Sequence, residues 1–273
     1  MLAKFRPTRR QLLAGALAGA GAVSFAQLGC KSDIRVEHHD LALERWRADG
    51  FRLAVLGDLH MDDPIRLARA RTAIRLAVRA KPDAIAIAGD FLSTPDLRTQ
   101  DEAFAAIREE VDHAPPVMAV LGNHDYWLPR PFRIIEGLQG ALQGRHRLLR
   151  NEAIEVEGVT LAGIEDGIAK KDRHDFLAPQ NDKNVVAIFH EPDFVDRVDK
   201  RIALMVSGHS HGGQVCAPWG TPLKLPFGAR SYWRGYYPDA KVPLYVTRGI
   251  GTVGPDIRTF SPPEVSVLTL RSA

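Results

Sequence analysis

The sequence predicts an α/β fold built on parallel β-α-β units, and three observations carry that prediction. Short apolar runs at 51–56, 84–88 and 117–121 have the length and composition of buried strands. Segments with helical spacing at 65–80 and 99–111 alternate with them. Each run stops at a glycine followed by a carboxylate or an amide, the position at which open α/β sheets bind ligands.

Composition fits one globular domain. The chain has 273 residues, 45% hydrophobic and 25% charged, enough for a full core. Its formal charge of +3 is concentrated at the start, where Lys4, Arg6, Arg9, Arg10 and Lys31 occur in 31 residues without an acid. The remainder sets 31 basic residues against 33 acidic ones, which gives no reason to expect a nucleic-acid partner. The two cysteines, Cys30 and Cys216, exclude a disulfide framework and leave only their mutual pairing open.

Residues 1–31 read as a targeting segment and 32–273 as the domain. Thr8-Arg9-Arg10-Gln11-Leu12-Leu13 opens a Gly/Ala-rich apolar stretch, 11–26, of about 16 residues, where a membrane span needs roughly 20. A basic start, an apolar middle and Ser24 and Ala26 give the layout of an export signal, and the adjacent arginines resemble the twin-arginine type. The expected partner is the twin-arginine export machinery. The expected location is the periplasm or the outer face of the cytoplasmic membrane. Retention as an anchor and lipidation at Cys30 are the alternatives, the second disfavoured by Gln27 where an aliphatic residue is usual.

In chain order, 31–50 suggests an edge strand or hairpin leading into Phe51. The helix at 65–80 carries Arg66, Arg69, Arg71, Arg75 and Arg79, which fit a solvated face better than a phosphate site. A short helix is expected at 129–140 and two or three short strands at 147–163, turning at Gly158. The stretch 170–183 reads as loop or short helix. Buried strands are expected at 184–189 and 202–206, and two more in 242–270. Between them, 216–238 gathers Trp219, Phe227, Tyr232, Trp233, Tyr236 and Tyr237, suited either to packing over a sheet edge or to lining an acyl groove.

Five strand ends thus supply Asp58, His60, Asp90, Asn123, His124, His190, His209 and His211. Carboxylate and amide oxygens suit harder cations, imidazole suits Mn, Fe or Zn, and a carboxylate between two cations can bridge them. Two such cations hold a phosphoryl group and acidify a shared water. Glu165, Asp166 and Glu191 read as loop acids or neighbours rather than ligands.

The ordered set G-D-x-H, G-D, G-N-H-D, a lone His and G-H-x-H resembles the calcineurin-like metallophosphoesterase family, over about 51–270. The resemblance implies a four-layer α-β-β-α sandwich of two mixed sheets with flanking helices. It implies two divalent metal ions: Asp58, His60, Asp90 and His211 around one, Asp90, Asn123, His190 and His209 around the other. His124 would contact the substrate phosphate and protonate the leaving oxygen, with Asp125 orienting it. The sequences around His209, His190 and Thr252 resemble the bacterial exported or membrane-associated subgroup, which includes phosphodiesterases and enzymes acting on UDP-diacylglucosamine. Gly57 departs from that subgroup, where serine is common. The expected substrate is a phosphate ester, with lipid-linked phosphate and peripheral membrane contact as a second possibility. Export fits an enzyme that folds around its metal before leaving the cytoplasm. An inactive scaffold is disfavoured because no assigned ligand is missing.

Overall fold

The computed structural model describes residues 33–177 and 184–273, so the arginine pair, the apolar leader and Cys30 lie outside the described residues. Two six-stranded mixed sheets pack face to face. The first is built early in the chain. Strand β1 (Arg35–Leu43) is the expected edge strand, and β2 (Phe51–Leu56) leads through α1 (Pro64–Arg79) to β3 (Ala84–Ala88). Helix α2 (Leu97–Val111) then returns the chain to β4 (Val117–Val120). A five-residue helix α3 (Asn123–Trp127), which the sequence did not announce, and α4 (Pro131–Ala141) precede the short β5 (Arg147–Leu148). Strands β2 to β5 run parallel in that order, with Leu53 opposite Ala84 and Ile85 opposite Val117.

The second sheet follows. β6 (Glu152–Val156) and β7 (Val159–Ile164) form a hairpin that turns at Gly158, whose φ of +75° is the left-handed conformation only glycine adopts without strain. β8 (Val185–Phe189) and β9 (Leu204–Ser207) extend it in parallel. β10 (Gly235–Tyr237) and β11 (Leu244–Val246) complete its other side, and β12 (Glu264–Ser272) returns to the first sheet between β1 and β2. β3, β4, β8 and β9 are buried along their whole length, which is why they read as unbroken apolar runs.

Alternation along each strand divides the core into layers. Leu53, Val55, Ala86 and Val120 meet Leu161, Val186, Ile188 and Val206 between the sheets. Leu56, Ile85, Ile87 and Ala119 face outward against Ala73, Ile74, Ala77, Phe104, Ile107 and Leu138 of the α-helices. The outer face of the second sheet is covered differently: 3-10 turns at Asp175–Leu177 and Pro192–Arg197 form that layer, with Phe194 and Val195 on Phe189 and Val246. Two mixed sheets with flanking helices are therefore present, and among the described residues the fourth layer is 3-10 rather than α.

Four of the five arginines of α1 pair with acids, Arg66 with Asp62 and Asp63. Arg69 pairs with Asp256, Arg71 with Glu109 and Glu110, and Arg75 with Glu110. Arg71 and Arg75 lie on the more solvated side expected from the sequence, whereas the Arg66 and Arg69 side chains are only 12% and 14% exposed. Among the described residues no helix is long and apolar enough to cross a membrane.

Candidate metal centre

Parallel strands deliver their carboxyl ends to one edge, so residues far apart in sequence converge there. The turns that follow are sharp. Asp58, His60, Asp90, His209 and His211 all have positive φ, between 42° and 67°. Few non-glycine residues accept this conformation, and clusters of them mark sites where geometry has been fixed at a local cost. The glycines beside them supply clearance. A side chain at Gly122 would collide with Asp90 and His190, and one at Gly249 would strike the Asp58 carboxylate.

The result is two donor groups that share one carboxylate. Asp58, His60, Asp90 and His211 place one ligand atom each within 4.8 Å of one another, and Asp90, His190 and His209 do the same. Asp58, His60 and His190 are 0% exposed. His60 Nε2 lies 3.2 Å from His211 Nε2 and 3.6 Å from Asp90 Oδ2. His190 Nε2 lies 3.3 Å from Asp90 Oδ2, and His209 Nδ1 is 3.2 Å from His190 Nε2. The Asn123 amide oxygen and Asp58 Oδ2 are buried without a hydrogen-bond partner.

Neighbouring carbonyls fix which nitrogen is the donor. His190 Nδ1–H donates to the Ala88 carbonyl at 2.6 Å, which turns Nε2 toward Asp90. His209 Nε2–H donates to the Phe227 carbonyl at 2.8 Å, which turns Nδ1 inward. Acceptors facing acceptors at 3.2–3.3 Å repel unless a positive charge lies between them. In the metal-free protein a proton serves on one side: burial lowers the His190 pKa, but Asp90, Asp58 and Glu191 outweigh it and hold it well above the ordinary value. Burial keeps His60 neutral by lowering its pKa to about 3, and lowers that of His209 to about 4, leaving lone pairs for a cation. Burial pushes Asp58 up to about 7 despite His190. Buried oxygens without partners, and imidazoles with their far nitrogens tied, fit a divalent cation.

His124 stands beside this cluster, not in it. Its backbone N–H donates to Asp90 Oδ1, and its ring lies 5.1 Å from both the His60 and the Trp127 rings. Asp125 acts on the backbone, not on the His124 ring. Its Oδ1 accepts the N–H groups of Phe91 and Leu92 and its Oδ2 that of Gly122, so it ties the Gly122–Asp125 turn to the loop after β3 and positions His124 through the backbone. Glu165, Asp166 and Glu191 stand outside both donor groups, but all three are buried. Glu165 receives Tyr126, Arg150 and Asn151, and Glu191 accepts the N–H groups of Gly167 and Ile168.

A cavity of about 630 Å³ opens over Asp90, Asn123, His124, His209 and His211. Its wall is apolar, with Trp127, Ile168, Val215, Leu223, Phe227 and Val253. The aromatic segment has divided: Tyr232 and Tyr237 pack over the second sheet and Tyr236 between the sheets, whereas Phe227 is 62% exposed on the cavity wall. Among the described residues Cys216 is a buried free thiol.

A family model described as calcineurin-like phosphoesterase matches residues 51–213, which span β2 to the G-H-x-H turn. The chain belongs to the calcineurin-like phosphoesterase family. Relatives match over nearly the whole length. The metallophosphoesterase YkuE of Bacillus subtilis is 26% identical, over 96% of this chain and 94% of its own. The phosphodiesterase YaeI of Escherichia coli is 28% identical, over 92% and 93%. TT1561 of Thermus thermophilus shares the fold at a TM-score of 0.50 and 11% identity, over 74% of this chain and 90% of that one. Family membership and the donor groups together support a divalent-metal site in a phosphoric ester hydrolase.

Three contributors had no signal in the sequence. Ser93 Oγ lies 2.6 Å from His60 Nδ1, Trp127 walls the cavity beside His124, and Arg258 is buried behind His211. Each acts through a position reached only by folding.

Proposed function

We propose that this chain is a dinuclear metal-dependent phosphodiesterase. The observation that carries the reading is the sharing of Asp90 by two donor groups on the floor of one cavity, with His124 beside them. Asp58, His60, Asp90 and His211 would hold one divalent ion, and Asp90, Asn123, His190 and His209 the other. Mn, Fe or Zn suits the mixture of imidazole and oxygen donors. Bound there, the ions supply charge for the phosphoryl oxygens and a water acidic enough to attack near neutral pH.

The remaining steps belong to side chains. His124, on the cavity floor with its backbone pinned to Asp90, gives its proton to the leaving oxygen. Asp125 keeps the turn that presents it in place. The relative named a phosphodiesterase, aligned over most of both chains, supports a diester substrate.

A second reading, a lipid-linked pyrophosphate of the UDP-diacylglucosamine type as substrate, is favoured by the apolar wall from Trp127 to Val253. Export by the twin-arginine route, residence in the periplasm or on the outer face of the cytoplasmic membrane, and peripheral membrane contact complete the proposal. Retention of the whole donor set speaks for catalysis over an inactive scaffold.

The test is hydrolysis of bis-p-nitrophenyl phosphate by metal-stripped protein with and without added Mn²⁺. Activity should require the metal, and His124→Ala should lower kcat about 10²–10⁴-fold while bound metal stays the same. A His124→Ala protein turning over at close to the wild-type rate sinks the mechanism.

A further inference from the structure

Arg258 is a buried guanidinium, and each of its hydrogen bonds goes to a backbone carbonyl. Nε and Nη2 donate to Gly251 at 3.0 and 2.6 Å, Nη1 to His211 and Ser261 at 3.1 Å each, and Nη2 also to Arg248 at 2.9 Å. These carbonyls come from three segments: the turn at His211, the loop 247–252, and Ser261, three residues beyond Arg258 itself. The first carries His211. The second, 247–252, closes over Asp58: Gly251 N–H donates to the Asp58 carbonyl at 2.6 Å, and Gly249 lies against the Asp58 carboxylate. Ser261 adds to the clamp, its hydroxyl donating to the His211 and Gly212 carbonyls.

We infer that Arg258 is a positioning residue that sets the geometry of one donor group, Asp58–His60–Asp90–His211, and leaves the other to different supports. The assignment rests on the dinuclear reading above. The rings of His190 and His209 are oriented by the carbonyls of Ala88 and Phe227, neither of which receives an Arg258 hydrogen bond; the one tie to the first group is the His209 backbone N–H, which donates to Asp58 Oδ1 at 2.9 Å. His211 has left-handed backbone and a ring Nδ1 without a hydrogen-bond partner, so no hydrogen bond on the ring's far nitrogen replaces the grip on its carbonyl. Buried cations usually accompany acids, and this one instead spends its donors on carbonyls that a planar fork can reach together. Lysine keeps the charge but has a single nitrogen and cannot span the four positions. Arg258→Lys therefore separates geometry from the electrostatic effect of a positive charge near a metal.

The experiment titrates chelator-stripped wild-type and Arg258→Lys protein with Mn²⁺ and reads stoichiometry and affinity by calorimetry, without reference to activity. Wild type should bind two ions. In Arg258→Lys one site should keep its affinity and the other weaken about 10–100-fold, the range for loss of a group that orients a ligand. Should the lysine variant fail to fold, Ser261→Ala, which removes the second grip on the His211 carbonyl, should weaken the same single site about 3-fold or more. Two wild-type sites that both stay unchanged, or that weaken equally, overturn the assignment alone. A wild-type chain that takes up no Mn²⁺ overturns the dinuclear reading and the assignment with it.

Discussion

Glycine 122 lies between two donors, and its missing side chain is a structural requirement. An added Cβ would meet both Asp90 and His190, and one of the atoms it meets is the Asp90 backbone nitrogen, which cannot yield. Gly122→Ala is expected to cost metal at the Asp90–His190 position and to lower activity at least 10²-fold; metal analysis of the purified variant checks it. Asp166 makes a second prediction at this scale. Burial, then the nearby Glu191, raises its pKa to about 9 from an ordinary 3.8. A carboxyl with a raised folded-state pKa binds its proton more tightly when folded, so its contribution is complete below pH 3.8 and is lost as pH rises through about 9. Metal-free protein should lose stability between pH 7 and 9, and Asp166→Asn should flatten that decline in denaturant melts. An unchanged slope in the variant would assign the effect to other groups.

At the level of elements, helix α1 and the strand ends behave in opposite ways. Arg71 and Arg75 form surface ion pairs with Glu109 and Glu110, interactions that solvent screening keeps weak. Arg71→Ala with Arg75→Ala should change stability little and leave hydrolysis untouched; a large loss of activity would restore a phosphate-binding role for this helix. The strand ends were legible because a parallel strand buried on both faces is an apolar run, and G-D, G-N-H-D and G-H-x-H interrupt it abruptly. What stayed hidden acts without a local pattern. Helix α3 has only five residues and begins at a ligand, β10 is three residues among aromatics, and Arg258 works through carbonyls supplied by distant loops. Asp125 shows the limit for a residue that was recognised: its position in the motif identified it, but only folding reveals that its oxygens face the backbone of β3's exit loop.

Over the whole molecule, two sheets bring the carboxyl ends of β2, β3 and β4 against those of β8 and β9, so that Asp90 lies between ligands drawn from both. Above them stands the apolar wall, whose part in choosing the substrate is tested by substitution. Replacing Leu223 and Phe227 together by Asp should lower kcat/KM for a diester with a long-chain apolar arm about 10-fold or more and leave bis-p-nitrophenyl phosphate within a few-fold, because removal of apolar contact is worth about 1–3 kcal/mol per small group. Equal losses on both substrates would contradict a role in recognition. The bridge itself tests the account most directly. Asp90→Ala, verified as folded by its melting curve, should lose bound metal and hydrolyse bis-p-nitrophenyl phosphate at the rate of buffer containing Mn²⁺. Turnover near the wild-type rate in that variant would contradict a catalytic centre built around Asp90.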